Sequence, residues 1–151
     1  MTDIKLPDTL SPWIKQHVER YLADGETGHL WDASLAGGEG MLTTLLLTTS
    51  GRKSGKQLII PLIYRPTGDG AYSVIASKGG APTHPAWYLN LEAEPLVHLQ
   101  VVNNKFKAVA RVAQGEERSR LWETMASYYP LYTRYQAATE REIPVVVFDP
   151  V

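Results

Sequence analysis

Met41-Leu42-Thr43-Thr44-Leu45-Leu46-Leu47-Thr48-Thr49-Ser50-Gly51-Arg52-Lys53-Ser54-Gly55-Lys56-Gln57-Leu58-Ile59-Ile60-Pro61-Leu62-Ile63-Tyr64-Arg65 is the stretch that decides the fold. Met41 to Thr49 is rich in Leu and Thr. Gln57 to Arg65 carries Ile59, Ile60, Leu62, Ile63 and Tyr64, and each run reads as a strand. The glycine-bearing loop between them is too short for a crossover, so the two strands pair antiparallel.

The same reading extends downstream. Thr67-Gly68-Asp69-Gly70 is a turn, followed by a strand over Tyr72 to Ser77. Leu96 to Val102 and Lys105 to Val112 read as a hairpin about Asn103-Asn104, because Asn tolerates positive φ. Phe106, Ala108, Ala110 and Val112 alternate with Lys105, Lys107 and Arg111, a half-buried pattern. Pro144 to Phe148 closes the chain as a short Val-rich strand. Helices are expected at Pro85 to Leu91, Glu116 to about Tyr128 with Leu121, Trp122 and Met125 inward, and Pro130 to Ala138.

Upstream, Ser11 as N-cap and Pro12 in the first turn begin a helix. Ile14, Val18, Tyr21 and Leu22 recur at its period, and Gly25 is placed to end it. Ala36 to Gly40 reads as a flexible joint. The division is therefore 1–40, helix and joint, and 41–151, barrel. The fold class is mainly β with peripheral helices, a small antiparallel barrel.

Composition narrows the chemistry. The 151 residues carry a net charge of -1 and no cysteine, which excludes disulfides, thiolate nucleophiles and iron–sulfur clusters. Nucleic acid is not expected as a partner. Met1 to Pro7 lacks the pattern of a signal peptide, and no apolar run spans a bilayer, so a cytoplasmic protein is expected. The first helix, with Trp13 at its start, leaves weak peripheral membrane contact open. His17, His29, His84 and His98 lack metal-ligand spacing, so no metal is expected. Neither a Gly-x-Ser-x-Gly elbow nor a dinucleotide fingerprint is present.

Three clusters remain. Gly51-Arg52-Lys53-Ser54-Gly55-Lys56 gathers three cations and two glycines, and reads either as a phosphate grip or as a solvated turn. It is not a P-loop: three residues separate Gly51 from Gly55-Lys56, then Gln57 and a strand follow. Ala76-Ser77-Lys78-Gly79-Gly80, with Pro85 and Trp87 beyond it, either presents backbone and an indole to a planar ring or is a glycine turn beside a core Trp. Tyr129, Tyr132 and Tyr135 would rise along one face of a helix, as substrate-facing phenols or as packing. With no covalent nucleophile, such a site would leave the hard step to a bound cofactor.

Taken in order, Leu47 to Lys56, Pro61-Leu62, Ala76 to Gly80, His84-Pro85 with Trp87-Tyr88 and Asn90, Tyr129-Pro130 to Tyr135-Gln136 and Ile143-Pro144-Val145 resemble the deazaflavin-dependent nitroreductase family. The resemblance covers Leu42 to the C-terminus. It implies a split antiparallel β-barrel of the FMN-binding type and coenzyme F420 as hydride donor. Arg52, Lys53, Ser54 and Lys56 would face the phosphate and oligoglutamate tail, and Pro61 and Leu62 would line the channel. Ala76, Ser77, Lys78, Gly79 and Gly80 would hold the ring, with Pro85 and Trp87 beside them. Ser77, Tyr129, Tyr132 and Tyr135 would serve the acceptor: an unsaturated lactone or ester, a quinone or a nitroaromatic. One position departs. Leu58 stands where members commonly carry Arg, leaving Lys56 or Lys105 for that tail contact. The alternatives are FMN as cofactor, or a carrier that turns nothing over. Oligomeric state is open.

Overall fold

The computed structural model describes residues 12–151; the expected cap at Ser11 lies outside them. The elements are α1 (Pro12–Ala23), α2 (Gly25–Gly28), β1 (Leu30–Asp32), β2 (Met41–Ser50), β3 (Gln57–Ile63), β4 (Arg65–Pro66), β5 (Tyr72–Ile75), α3 (Ala86–Ala93), β6 (Leu96–Val101), β7 (Asn104–Val112), α4 (Gly115–Tyr128), α5 (Leu131–Ala137) and β8 (Val145–Pro150). The strand pairings among the described residues are antiparallel, in the order β1-β2-β6-β7-β8-β5-β4, and β3 lies on the other side of β2. Only Tyr64 separates β3 from β4, which lie at opposite edges. The chain therefore bridges the two edges through one bent strand, and the sheet curls into a split barrel. The expected fold class holds.

The Leu45-Leu46-Leu47 run breaks strict alternation because both faces of β2 are covered. Leu45 and Leu47 enter the barrel core with Leu99, Val146 and Phe148. Leu46 points the other way and packs with Val18 and Tyr21 of α1 and with Ile59. The run Val145 to Phe148 is divided likewise. Val146 and Phe148 face the barrel core, while Val145 and Val147 meet Leu121, Met125, Tyr129 and Tyr132. That second cluster brings the tyrosines against the sheet.

Several local expectations change. The hairpin turn is Val102-Asn103, one residue earlier than expected, with Val101 paired to Asn104. Val102 takes φ +57, because the buried Tyr21 hydroxyl accepts a 2.9 Å bond from its amide. Gly25 does not end α1: Asp24 caps α2, with Gly25 as its first residue. A Cβ on Gly25 would fall 2.0 Å from the Val102 carbonyl oxygen, so close approach explains this glycine. Val112 is exposed rather than inward, since the β7 pattern ends at Ala110.

Leu30–Asp32 forms a strand that the pattern did not suggest; Trp31 pairs with Leu42. The following Ala33–Gly40 segment is closed by bonds from the Ala33 amide to Gly40 O (2.9 Å) and from the Gly38 amide to Ala33 O (2.8 Å). Tyr129 and Pro130 lie between α4 and α5, so the three tyrosines do not share one helix. Among the described residues no helix is long and apolar enough to cross a membrane.

Candidate active site

A cavity of about 730 Å³ opens between α1, the β2–β3 hairpin, the segment after β5, and α5. One wall is Ser77, Lys78, Gly79, Pro85 and Trp87; the opposing region holds Tyr129, Tyr132, Tyr135 and Trp31. Leu58, Ile60, Leu62 and Ile63 of β3 form an apolar floor. The volume and the few polar groups in an apolar lining suit a flat organic cofactor with a small second ligand.

The tyrosines meet despite the break in the helix. The Tyr129 and Tyr132 rings stand edge to face, with centroids 4.9 Å apart, and the Tyr129 and Tyr135 hydroxyls are 3.1 Å apart. Burial is the main cause that pushes the Tyr129 phenol well above its ordinary value, and its bond with Tyr135 adds to this. Burial does the same to Tyr132, with Tyr129 and Tyr135 reinforcing it. Both therefore stay protonated and able to donate throughout the neutral range.

The segment after β5 is strained. Lys78, Gly79 and Gly80 take φ of +47, +62 and +85 in succession, and the non-glycine member costs about 1–2 kcal/mol. A Cβ on Gly80 would lie 2.7 Å from the Tyr135 carbonyl oxygen, which fixes glycine there and presses the turn onto α5. Behind it, Arg141 donates to Ser77 O (2.7 Å) and Ala81 O (2.8 Å), and more weakly to Ala76 O (3.4 Å). Burial lowers the Arg141 pKa. The Lys78 ammonium donates to the Thr83 hydroxyl at 3.2 Å.

The basic loop lies at the rim. Arg52 is tied down: the buried Asn90 side-chain oxygen accepts from its amide (3.2 Å) and its guanidinium (3.0 Å). Asn90 in turn donates to the Thr49 hydroxyl at 3.2 Å. The loop closes on itself through the Gly51 amide and Lys56 O (2.8 Å) and the Lys56 amide and Ser54 Oγ (3.2 Å). Lys53, Ser54 and Lys56 are exposed.

Of the residues expected at the site, Leu62, Ser77, Lys78, Gly79, Pro85, Trp87, Tyr129, Tyr132 and Tyr135 line this cavity. Arg52, Lys53, Ser54 and Lys56 stand at its edge rather than within its lining. Pro61 lines a smaller pocket under α1, with His17 and Trp31. Ala76 and Gly80 are buried behind the wall. Lys105 lines a separate groove with Gln57 and His98. Trp13, Trp31, Asn90 and Arg141 were not identified as site residues from sequence. Asn90 was visible only as a member of a motif, and Trp31 belongs to a strand too short to show periodicity.

A split barrel with one large ring-lined cavity beside a cationic loop is the architecture of a flavin-type cofactor protein. A family model described as F420H(2)-dependent quinone reductase matches residues 13–150. An F420H(2)-dependent quinone reductase of Mycobacterium tuberculosis (strain H37Rv) is 36% identical over 149 residues, covering 91% of this chain and 96% of that protein. A solved F420-H2 dependent reductase is 41% identical with TM-score 0.64, covering 70% of this chain and 93% of its own. Another solved chain, described as a domain-swapped dimer, is 36% identical with TM-score 0.67, covering 92% of this chain and all of its own. The chain belongs to the F420H(2)-dependent quinone reductase family. Membership makes it an F420-dependent oxidoreductase, with coenzyme F420 as its cofactor. The resemblance drawn from the motifs is thus right in cofactor class, while the acceptor in the family's name is a quinone.

Proposed function

We propose that this protein reduces a quinone with reduced F420, and that the cavity between the Ser77 turn and the tyrosine cluster is where the two meet. The observation that carries this reading is the pairing of walls. Backbone, Pro85 and Trp87 lie on one side, and protonated phenols lie on the other, within one cavity of about 730 Å³. The exposed cations Lys53 and Lys56, with Arg52 anchored on Asn90, suit a polyanionic tail better than a single phosphate.

When bound, the reduced deazaflavin supplies a hydride, two electrons with one proton. The chain's residues do the remainder. Trp87 and the strained Lys78–Gly80 turn define a flat slot that orients the ring. Leu62, Ile63 and Ile75 line the cavity and would exclude water from a ring held there. Once the hydride has reached a quinone, one oxygen carries negative charge and requires a second proton. The phenols of Tyr129, Tyr132 and Tyr135 face that charge as donors, and solvent restores any proton given. Unsaturated lactones, esters and nitroaromatics accept the same hydride and proton, and belong to the same reading as further acceptors.

The test is a binding titration with F420 and FMN, then oxidation of reduced F420 with a soluble naphthoquinone, a nitroaromatic and an unsaturated lactone. The reading expects tight F420 binding, weak FMN binding and turnover with the quinone. Binding without turnover by any acceptor would make the protein a carrier. Preference for FMN would replace the cofactor.

A further inference from the structure

Arg141 spends its guanidinium on one segment. Its Nη2 donates to Ser77 O at 2.7 Å, and its Nε donates to Ala81 O at 2.8 Å. Nη1 and Nη2 each lie 3.4 Å from Ala76 O. Nη1 also lies 3.1 Å from His84 Nδ1, and since arginine can only donate, that nitrogen is the acceptor in a bond between them. The bonds thus reach both feet of the turn that carries Lys78 and Gly79, and extend to the residue before Pro85. None of the ion pairs among the described residues includes Arg141. With no carboxylate of the described residues paired to it, its guanidinium is directed at backbone carbonyls. They flank a backbone held on the positive side of φ.

Its own backbone is fixed from the other wall. Gln136 Nε2 donates to the Arg141 carbonyl at 2.8 Å, and Gln136 Oε1 accepts from the Ile143 amide at 2.9 Å. Gln136 lies in α5, next to Tyr135. The path from the phenol wall to the ring wall is therefore Tyr135, Gln136, Arg141, Ser77.

We propose that Arg141 is the positioning residue of this site: its planar fork holds the Ser77–Gly80 turn in the geometry that receives the cofactor ring, and Gln136 sets that turn relative to the tyrosines. This rests on the turn being the ring wall. A fork with fixed directions is required, because three carbonyls and one imidazole nitrogen surround it; an ammonium has the charge without the plane.

The test uses Arg141→Met, Arg141→Lys and Arg141→Ala, the last with and without added guanidinium ion, read in two ways. Hydrogen exchange in the cofactor-free protein compares amides 77–83 with those of β2. Titration and steady-state kinetics give the F420 dissociation constant and the two KM values. The expected result for Arg141→Met is exchange about tenfold faster or more, confined to 77–83, since several charge-assisted bonds are lost. F420 affinity falls about tenfold or more, with the quinone KM within roughly twofold. Arg141→Lys recovers only part of this, and guanidinium ion restores Arg141→Ala.

Unchanged exchange at 77–83, or faster exchange spread evenly over β2 as well, overturns the proposal. If Arg141→Met does not fold, Arg141→Lys decides by the same comparison. Failure of the wild-type chain to bind F420 removes the cofactor reading instead, and the exchange comparison still decides whether Arg141 holds the turn.

Discussion

The hydroxyl oxygens of Tyr129 and Tyr135 lie 3.1 Å apart, joining a residue of the α4–α5 break to one in the last turn of α5. Tyr135 is half-buried and Tyr129 buried, and both line the cavity.

Replacing Tyr132 with Phe should leave F420 affinity unchanged while lowering kcat/KM for the quinone by roughly tenfold, the scale of one hydrogen bond made in the transition state. Because burial raises the phenols of Tyr129 and Tyr132, neither ionises in the working range. The pH–rate profile of the wild type should then show no alkaline limb from them below about pH 10. A limb near pH 9 that vanishes in the Tyr132→Phe protein would show that this phenol ionises in the working range, and one that persists there would assign the titration to another group.

Asn90 is 1% exposed and makes three side-chain bonds, two with Arg52 and one with Thr49. Asn90→Leu strands those partners and should cost about 2–3 kcal/mol in urea unfolding. Freed from its anchor, Arg52 should also bind the tail less well, so F420 affinity falls while FMN affinity changes little. Equal losses for both cofactors would place the role of Arg52 at the ring or the first phosphate.

These two sites illustrate what a sequence can disclose. The strands were legible because burial imposes a short-range signature: Phe106, Ala108 and Ala110 alternate with charges, and Leu45 to Leu47 form a run where both faces are covered. The three clusters were legible because glycines, cations and tyrosines stand close together along the chain. Arg141 was not, since its partners lie 57 to 65 positions away and nothing near it repeats. The break at Tyr129-Pro130 was legible from Pro130, which begins a new helix, but the spacing of Tyr129, Tyr132 and Tyr135 suggested one helical face that the break does not allow. The hairpin turn was misplaced by one residue because Asn103-Asn104 is the better local turn, and a contact from Tyr21, 81 positions away, overrides it.

His17 supplies a pH dependence. It is 5% exposed, and burial holds its imidazole below the ordinary 6.5, outweighing the bond to Gly28 O; Arg20 lowers it further. The unfolded chain takes up this proton at a higher pH than the folded one. The contribution to stability is therefore complete above pH 6.5 and is lost as pH falls through the lower folded value. Urea midpoints measured from pH 8 to pH 5 should begin to decline as pH falls below 6.5, and His17→Gln should flatten the decline. Identical slopes in the two proteins would assign the acid sensitivity elsewhere.

The strained turn at Val102 allows the opposite kind of change. A β-branched residue at φ +57 costs about 1–2 kcal/mol, and three features of the structure offset it. The Tyr21 hydroxyl accepts from the Val102 amide at 2.9 Å, donates to Thr44 O at 2.9 Å and lies 3.1 Å from Gln100 O. The Asn103 side chain accepts from the Gly25 amide at 3.0 Å, and the Gln100 side chain donates to Val102 O at 2.9 Å. Burial is what pushes the Tyr21 phenol up to about 12, so it donates and accepts as a neutral group at any working pH. Tyr21→Phe leaves the Val102 amide without that partner and should destabilise by about 2–3 kcal/mol. Val102→Gly removes the steric cost but enlarges the freedom of the unfolded chain; the net should be a gain below about 1 kcal/mol. In the double variant the two effects should not add, because the tyrosine bond is what holds the strained conformation. With glycine at 102 the turn relaxes once the hydroxyl is gone, and the Tyr21→Phe penalty should shrink by about 1 kcal/mol. A double-mutant cycle in urea measures that coupling, and strict additivity would mean the turn holds its shape without Tyr21.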